Sequence, residues 1–323
     1  MKESMRAMIY TEFGAPEVLH LAEIEKPVPT EIEVLIRIYA TTVAKEDPDM
    51  RKNPGLNGMT KPKKPILGMY LAGVIEAVGK AVSRFQVGDQ VYGSAALKLG
   101  ATAEYICLPE DAALVLKPEL LSFQQAAAVP NGAITTIPFL MYLGKVRQGD
   151  EVLITGASGT VGTSAVQLAK YLGAKVTGIC SSAKIDLVQS LGADKIIDYT
   201  QENFTHNGQT YDVIFDTVGS SSFSHSKKSL KPKGVYLTTI PTLEVLLHFL
   251  NPFKNRTKSA RFAATALRAT KKKLIDLAII NRIIEEGKYL PVIDKVFALE
   301  GIAQAHHHVE EGHKTGDVVI TIA

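Results

Sequence analysis

The segment Glu151-Val152-Leu153-Ile154-Thr155, continued by Gly156-Ala157-Ser158-Gly159-Thr160-Val161-Gly162, constrains the fold of this chain more than any other. It reads as an apolar strand, a Gly-rich turn and a helix patterned on Ala165, Val166, Leu168, Ala169 and Leu172. That order suits a nucleotide pyrophosphate. Small residues let the backbone approach the phosphates, and the free N–H groups of the first helical turn face the anion. The same turn also serves as a strand-to-helix connection with no ligand, so the surrounding chain must decide. On the ligand reading, Gly156, Ser158, Gly159, Thr160 and Val161 contact the cofactor.

A second strand, Lys175–Cys180, follows the helix. A carboxylate at its end would accept hydrogen bonds from a ribose 2′-hydroxyl and select NAD. This chain has Cys180-Ser181-Ser182-Ala183-Lys184 there instead. Two hydroxyls and a cation suit a 2′-phosphate, so the expected cofactor is NADP(H). The plainer reading has Ser181 capping the next helix and Lys184 solvated. The alternation continues through a helix over 185–191 and strands over 195–199, 211–216 and 234–240. Strands alternating with helices predict a parallel, doubly wound sheet that binds ligands beyond the carboxyl ends of its strands. Tyr199, Thr217, Val218, Gly219, Thr239 and Ile240 stand at such ends and join the cofactor candidates.

The chain has 323 residues, about two domains' worth. No apolar run reads as long enough to span a bilayer, and Lys2, Glu3 and Arg6 precede a strand pattern rather than a secretory signal. Two cysteines, Cys107 and Cys180, imply no disulfide framework and suit a cytoplasmic setting. A net charge of +3 gives no reason to expect nucleic acid. The basic run from Lys254 to Lys273 is expected to be a solvated face.

Residues 1–122 read as mostly β. Strand patterns cover Ile32–Tyr39, Leu71–Gly79, Phe85–Gly93 and Ala103–Pro109, with few helix signals, which predicts a partly open barrel. Near the C-terminus come a helix over 274–286, a strand over 292–297, a helix over 302–311 and a last strand over 317–322.

Val87-Gly88-Asp89-Gln90-Val91, Glu104-Tyr105, Ala126-Ala127-Ala128-Val129-Pro130, Gly156 to Gly162 and Leu191-Gly192-Ala193-Asp194 occur in this order. Together they resemble a medium-chain dehydrogenase/reductase, and more narrowly the zinc-independent quinone oxidoreductases related to zeta-crystallin. The resemblance implies an α/β plus β protein. A GroES-like, partly open β-barrel domain would take residues 1–122 and 287–323, and a doubly wound Rossmann domain residues 123–286. It also implies homodimers formed by sheet extension.

The resemblance places Ala44 and Met69 at the positions of the first two catalytic zinc ligands of the zinc-dependent relatives, and two cysteines cannot build a four-cysteine site. The consecutive His306, His307 and His308 face different sides of a helix, so no metal is expected there. Many relatives have Val-Asn-Pro followed by Asp where this chain has Val43-Ala44-Lys45-Glu46-Asp47. Many have an acidic residue where it has Leu67-Gly68-Met69-Tyr70. The resemblance implies that both stretches border the cleft, and Ala44, Lys45 and Tyr70 from them, with Asn131, are the substrate candidates.

Without a Lewis acid, the accessible chemistry is hydride donation to an electron-poor acceptor, a quinone or an α,β-unsaturated carbonyl. Thr135, read as part of a helix start, resembles a family position near the nicotinamide; its plainer role is capping. Tyr70 is a candidate donor to the reduced oxygen, and its plainer role is a core tyrosine. The alternatives are a metal-free alcohol or carbonyl dehydrogenase and a non-enzymatic NADPH-binding protein, a stress sensor or an RNA-associated protein.

Overall fold

In the computed structural model, residues 3–55, 57–250 and 257–322 are described. The chain forms two compact units. Unit 1 comprises 1–131, 269–285 and 290–323, and unit 2 comprises 132–268 and 286–289.

Unit 1 opens with a hairpin of β1 (Ser4–Ile9) and β2 (His20–Glu25). Next come β3 (Glu33–Val43), the short helix α1 (Glu46–Lys52), β4 (Tyr70–Val78), β5 (Gln90–Ser94), β6 (Tyr105–Pro109) and β7 (Ala113–Leu116). The helix α2 (Phe123–Ile137) carries Pro130 in its interior, and unit 1 ends within it at Asn131.

Unit 2 is built on β8 (Glu151–Thr155), α3 (Thr160–Tyr171), β9 (Lys175–Cys180), α4 (Ile185–Ser190), β10 (Lys195–Asp198), β11 (Tyr211–Asp216), α5 (Phe223–Ser226), β12 (Leu230–Thr238), α6 (Leu243–Leu250) and β13 (Ser259–Phe262). The six strands form one parallel sheet in the order β10-β9-β8-β11-β12-β13. Val152, Leu153 and Ile154 are fully buried, as expected for a parallel strand covered on both faces. The strand order reverses between β8 and β11, and ligands bind above such a switch point in open α/β sheets.

The chain returns to unit 1 with α7 (Thr270–Glu285), β14 (Ile293–Ala298), α8 (Ile302–Glu310) and β15 (Asp317–Thr321). The sheet runs β14-β15-β3-β4-β5-β7, with β6 paired to β3. Antiparallel pairs dominate; β14 and β15 are parallel. β3 is therefore a central strand, bordered by β15, β4 and β6. This explains why Val34, Leu35, Ile36 and Ile38 are all buried, where the sequence alternation suggested a half-exposed strand.

The structure differs from the sequence reading in three respects. The compact units part within α2 rather than at residue 122. Moreover α7, assigned by sequence to the second domain, packs along β7 in unit 1, where Tyr92 donates to Asn281 and Asn281 Nδ2 donates to the Leu116 carbonyl at 3.1 Å. Second, a helix spanning Phe123–Leu143 is long and apolar enough to cross a membrane by length and composition, with mean hydropathy 1.3, whereas the sequence reading found none. Because 72% of that window is buried inside the protein, it is a core helix. Third, the basic run is not one solvated face. Lys254 and Arg256 lie outside the described residues, Lys273 is buried, and Arg261 Nη1 donates to the Leu143 carbonyl at 2.7 Å.

Candidate active site

In unit 2 the turn after β8 depends on two glycines. Gly156 has φ +62°, and a Cβ there would lie 2.5 Å from Val218 Cγ1. A Cβ on Gly162 would lie 2.0 Å from the Gly156 carbonyl oxygen, so α3 approaches the turn as closely as backbone allows. Gly159 is the N-cap of α3 and supplies no capping side chain. The N–H groups of the first turn, at Thr160 and Val161 beside the half-buried Ser158, thus meet the requirements of a pyrophosphate. A dinucleotide fits this cradle.

At the end of β9, Cys180 is buried, and burial pushes its thiol up to about 11. Its carbonyl accepts from the Tyr199 N–H at 3.1 Å, which fixes the exposed Tyr199 beside it. Ser181 occupies the N-cap position of the following 3-10 turn, but its side chain makes no capping bond. Lys184 is half-buried and forms no ion pair among the described residues. Ser182 donates to Asp198 Oδ2, and this bond, with those from Thr200, holds the Asp198 carboxyl below its usual range. Sequence reasoning missed Asp198 because it looked for a carboxylate only at the end of β9. Asp198 ends β10, the neighbouring parallel strand.

The remaining cofactor candidates meet at the carboxyl ends of β11 and β12. Thr217 Oγ1 donates to the Thr155 carbonyl at 2.7 Å, and Thr239 Oγ1 donates to the Thr217 carbonyl at 3.1 Å. A Cβ on Gly219 would lie 2.4 Å from Ile240 Cδ1, and Val218 is exposed. Beneath this loop lies the buried Asp216, a second residue that sequence reading passed over. Its two carboxylate oxygens accept from Thr155, Val218, Gly219, Ser220, Ser221 and Tyr236. Thr135 is not at a helix start. It lies near the C-terminal end of α2, with its hydroxyl 3.5 Å from that of Thr265, so N-terminal capping is not its role.

Unit 1 brings Ala44, Met69 and Tyr70 into one buried cluster. Thr41 Oγ1 donates to the Tyr70 carbonyl at 2.6 Å. Burial, with the nearby carboxylates of Glu46, Asp47 and Asp317, raises the Tyr70 phenol well above its ordinary value. Tyr70 thus keeps its proton at neutral pH and can donate a hydrogen bond. Asn131 Nδ2 donates to Asp317 Oδ1 at 3.3 Å, and Lys45 is exposed at the start of α1.

The donor set does not fit a catalytic zinc. Ala44 offers a methyl group, Met69 a thioether, and Cys107 a buried thiol pushed up to about 11. The three consecutive histidines diverge. His306 is buried, with neither ring nitrogen hydrogen-bonded; His307 contacts Glu17 at 2.7 Å, and His308 contacts Asp294 at 2.5 Å. Among the described residues no group of three or more His, Cys, Asp or Glu side chains is placed to hold a metal.

Three family models match the chain: the alcohol dehydrogenase GroES-like domain over residues 30–119, the alanine dehydrogenase/PNT C-terminal domain over 126–223, and the zinc-binding dehydrogenase over 191–320. The NADPH-dependent alkenal/one oxidoreductase, chloroplastic, of Arabidopsis thaliana is 33% identical over 98% of this chain and 80% of its own length. The quinone oxidoreductase of Homo sapiens is 31% identical over 98% of both chains. The solved quinone oxidoreductase from Coxiella burnetii superposes with a TM-score of 0.85 at 28% identity, covering 99% of this chain and 100% of that one.

Proposed function

The chain belongs to the medium-chain dehydrogenase/reductase superfamily, on its quinone oxidoreductase branch, and from that premise we propose that it reduces quinones or α,β-unsaturated carbonyls with NADPH and without a metal. One observation carries the choice of reaction: an intact dinucleotide cradle accompanies Ala44 and Met69, which offer no ligand set for zinc. The bound nicotinamide supplies hydride. Electron-poor acceptors delocalise the incoming charge themselves, so the protein's task is to bind and orient.

The turn Gly156–Val161 holds the pyrophosphate, and the loop Thr217–Gly219 with Thr239, Ile240 and Thr135 flanks the nicotinamide. Cys180, Ser181, Lys184 and Tyr199 border the adenosine end. Ser182 is committed to Asp198, so Ser181 and Lys184 carry the recognition of the 2′-phosphate. Ala44, Lys45, Tyr70 and Asn131 receive the acceptor, and the Tyr70 hydroxyl donates a hydrogen bond to the oxygen that gains charge. The edge strand β13 supports a homodimer formed by sheet extension. Two buried, unpaired cysteines support a reducing compartment such as the cytoplasm.

The test is turnover by metal-stripped protein of a panel of quinones and enals, with NADPH and NADH in parallel. Reduction with NADPH is expected. NADPH binding without turnover of any acceptor refutes the reductase reading. Lys184→Ala should weaken NADPH far more than NADH, and equal losses would overturn the 2′-phosphate assignment.

A further inference from the structure

We propose that Asp47 is a positioning residue for the acceptor: its carboxylate ties the Ala44–Lys45 segment to the Gly68–Tyr70 segment, and these carry three of the four candidate acceptor residues. The inference rests on the reading of unit 1 as the acceptor-binding part.

Asp47 is the second residue of α1 and only 1% exposed. Oδ2 accepts from the Ala44 N–H at 2.8 Å, and Oδ1 accepts from the Gly68 N–H at 3.2 Å. The second bond reaches across 21 residues of sequence, so the carboxylate is a clip rather than a local cap. Gly68 cannot be replaced to make the contact otherwise. Its φ is +90°, and a Cβ would stand 3.0 Å from the Thr102 N and 3.1 Å from the Ala101 C.

The far side of the same segment is held separately. Ala101 N–H donates to the Gly68 carbonyl at 3.2 Å, Ala95 N–H to the Met69 carbonyl at 2.8 Å, and Thr102 Oγ1 to the Leu67 carbonyl at 3.0 Å. Those bonds fix the segment to the connection between β5 and β6, whereas Asp47 fixes it to the Ala44 turn. If the carboxylate is lost, two buried N–H groups lose their acceptor, and the Ala44–Lys45 turn can drift relative to Tyr70, whose carbonyl stays held by Thr41 Oγ1.

The groups facing Asp47 are Glu46 on its own helix, Tyr10 beyond β1 and Tyr70 in β4; Arg51, one turn further along α1, is paired with Glu310. Burial, assisted by Glu46, pushes the Asp47 carboxyl up to about 7, against the pull of its two N–H donors. The clip is therefore at full strength above that value and weakens as pH falls through it, because the neutral carboxyl loses its charge and its hydroxyl oxygen becomes a poor acceptor for one of the two N–H groups.

The experiment compares wild type with Asp47→Asn, which keeps the shape but replaces one acceptor by a donor. Three readouts are taken: NADPH affinity, the pH profile of kcat/KM for a quinone, and hydrogen exchange of peptides covering 40–47 and 66–72. Wild-type kcat/KM should fall as pH drops through about 7. The variant should lose that limb and lie about 10–100-fold below wild type on its plateau, with the NADPH dissociation constant unchanged. Exchange should quicken in those two peptides alone. If exchange in both peptides is unaltered, the clip is refuted whatever the activity. If exchange quickens but the acid limb persists in the variant, the role in acceptor positioning is refuted. If wild type reduces no acceptor, the functional reading fails, and the exchange data still judge the clip.

Discussion

Asp216→Asn is the sharpest test of how the loop after β11 is held. Oδ1 of Asp216 accepts from Thr155 Oγ1 at 2.6 Å and from the N–H groups of Gly219, Ser220 and Val218 at 2.9, 3.2 and 3.3 Å. Oδ2 accepts from Tyr236 Oη at 2.8 Å and from the Ser221 N–H at 3.0 Å. Asparagine has one acceptor oxygen, which settles opposite the four donors and turns its amide towards the other two. Tyr236 can adapt, because its hydroxyl lies 3.0 Å from the Ser221 carbonyl and can donate there while accepting from the new amide. The Ser221 N–H cannot adapt and meets another donor.

An orphaned buried donor costs about 1–3 kcal/mol, and the bonds that remain lose their charged acceptor, worth roughly another 1 kcal/mol in all. We therefore expect a destabilisation of about 3 kcal/mol in unit 2. The chain has no tryptophan, so far-UV circular dichroism in urea is the assay. With m of about 1–3 kcal/mol/M, the midpoint should fall by at least about 1 M. NADPH affinity should fall with it, since Thr217, Val218 and Gly219 ride on the same carboxylate. A variant within about 0.5 kcal/mol of wild type would refute the reasoning, because that is the range of ordinary surface changes.

Two further outcomes follow from single residues. His306 is fully buried, and burial, with the charges of Arg51 and His307, lowers its pKa to about 3 from 6.5. A depressed pKa means that the stability is present above 6.5 and is lost as pH falls from there towards 3, by up to about 1.4 kcal/mol per unit; His306→Leu should flatten this acid limb in urea midpoints measured from pH 7 downwards. Gly162→Ala must push α3 from the turn, because its Cβ would sit 2.0 Å from the Gly156 oxygen, whereas the nearest atom at Gly159 is 3.5 Å away. Melting curves should show Gly162→Ala clearly destabilised and Gly159→Ala close to wild type.

Much of unit 2 was legible because local signals and fold agree there. The run Val152–Ile154, the glycines that follow it and the apolar stripe of the next helix each point to the same strand, turn and helix. What escaped the sequence was non-local. Asp216 and Asp47 are single acidic residues with no periodicity, and their importance lies in N–H groups folded around them. The Ser182–Asp198 bond joins the turn after β9 to the end of β10, 16 residues further along the chain. The pattern Leu277, Ile280, Ile283, Ile284 announces a helix but cannot say which sheet it will cover. Thr135 misled because Pro130 suggests a break, while α2 runs on to Ile137.

The strand order of unit 2 also bears on how the protein is made. β8 pairs with β9 soon after both are synthesised, but its other edge waits for β11, and the contact between Thr155 and Asp216 spans 61 residues. At about 5–20 residues per second, a ribosome leaves that apolar edge unpaired for roughly 3–12 s. During this interval the nascent chain carries an open strand template at the centre of its future sheet. Slower translation between β9 and β11 lengthens the time for which that edge stays open to pairing with another chain.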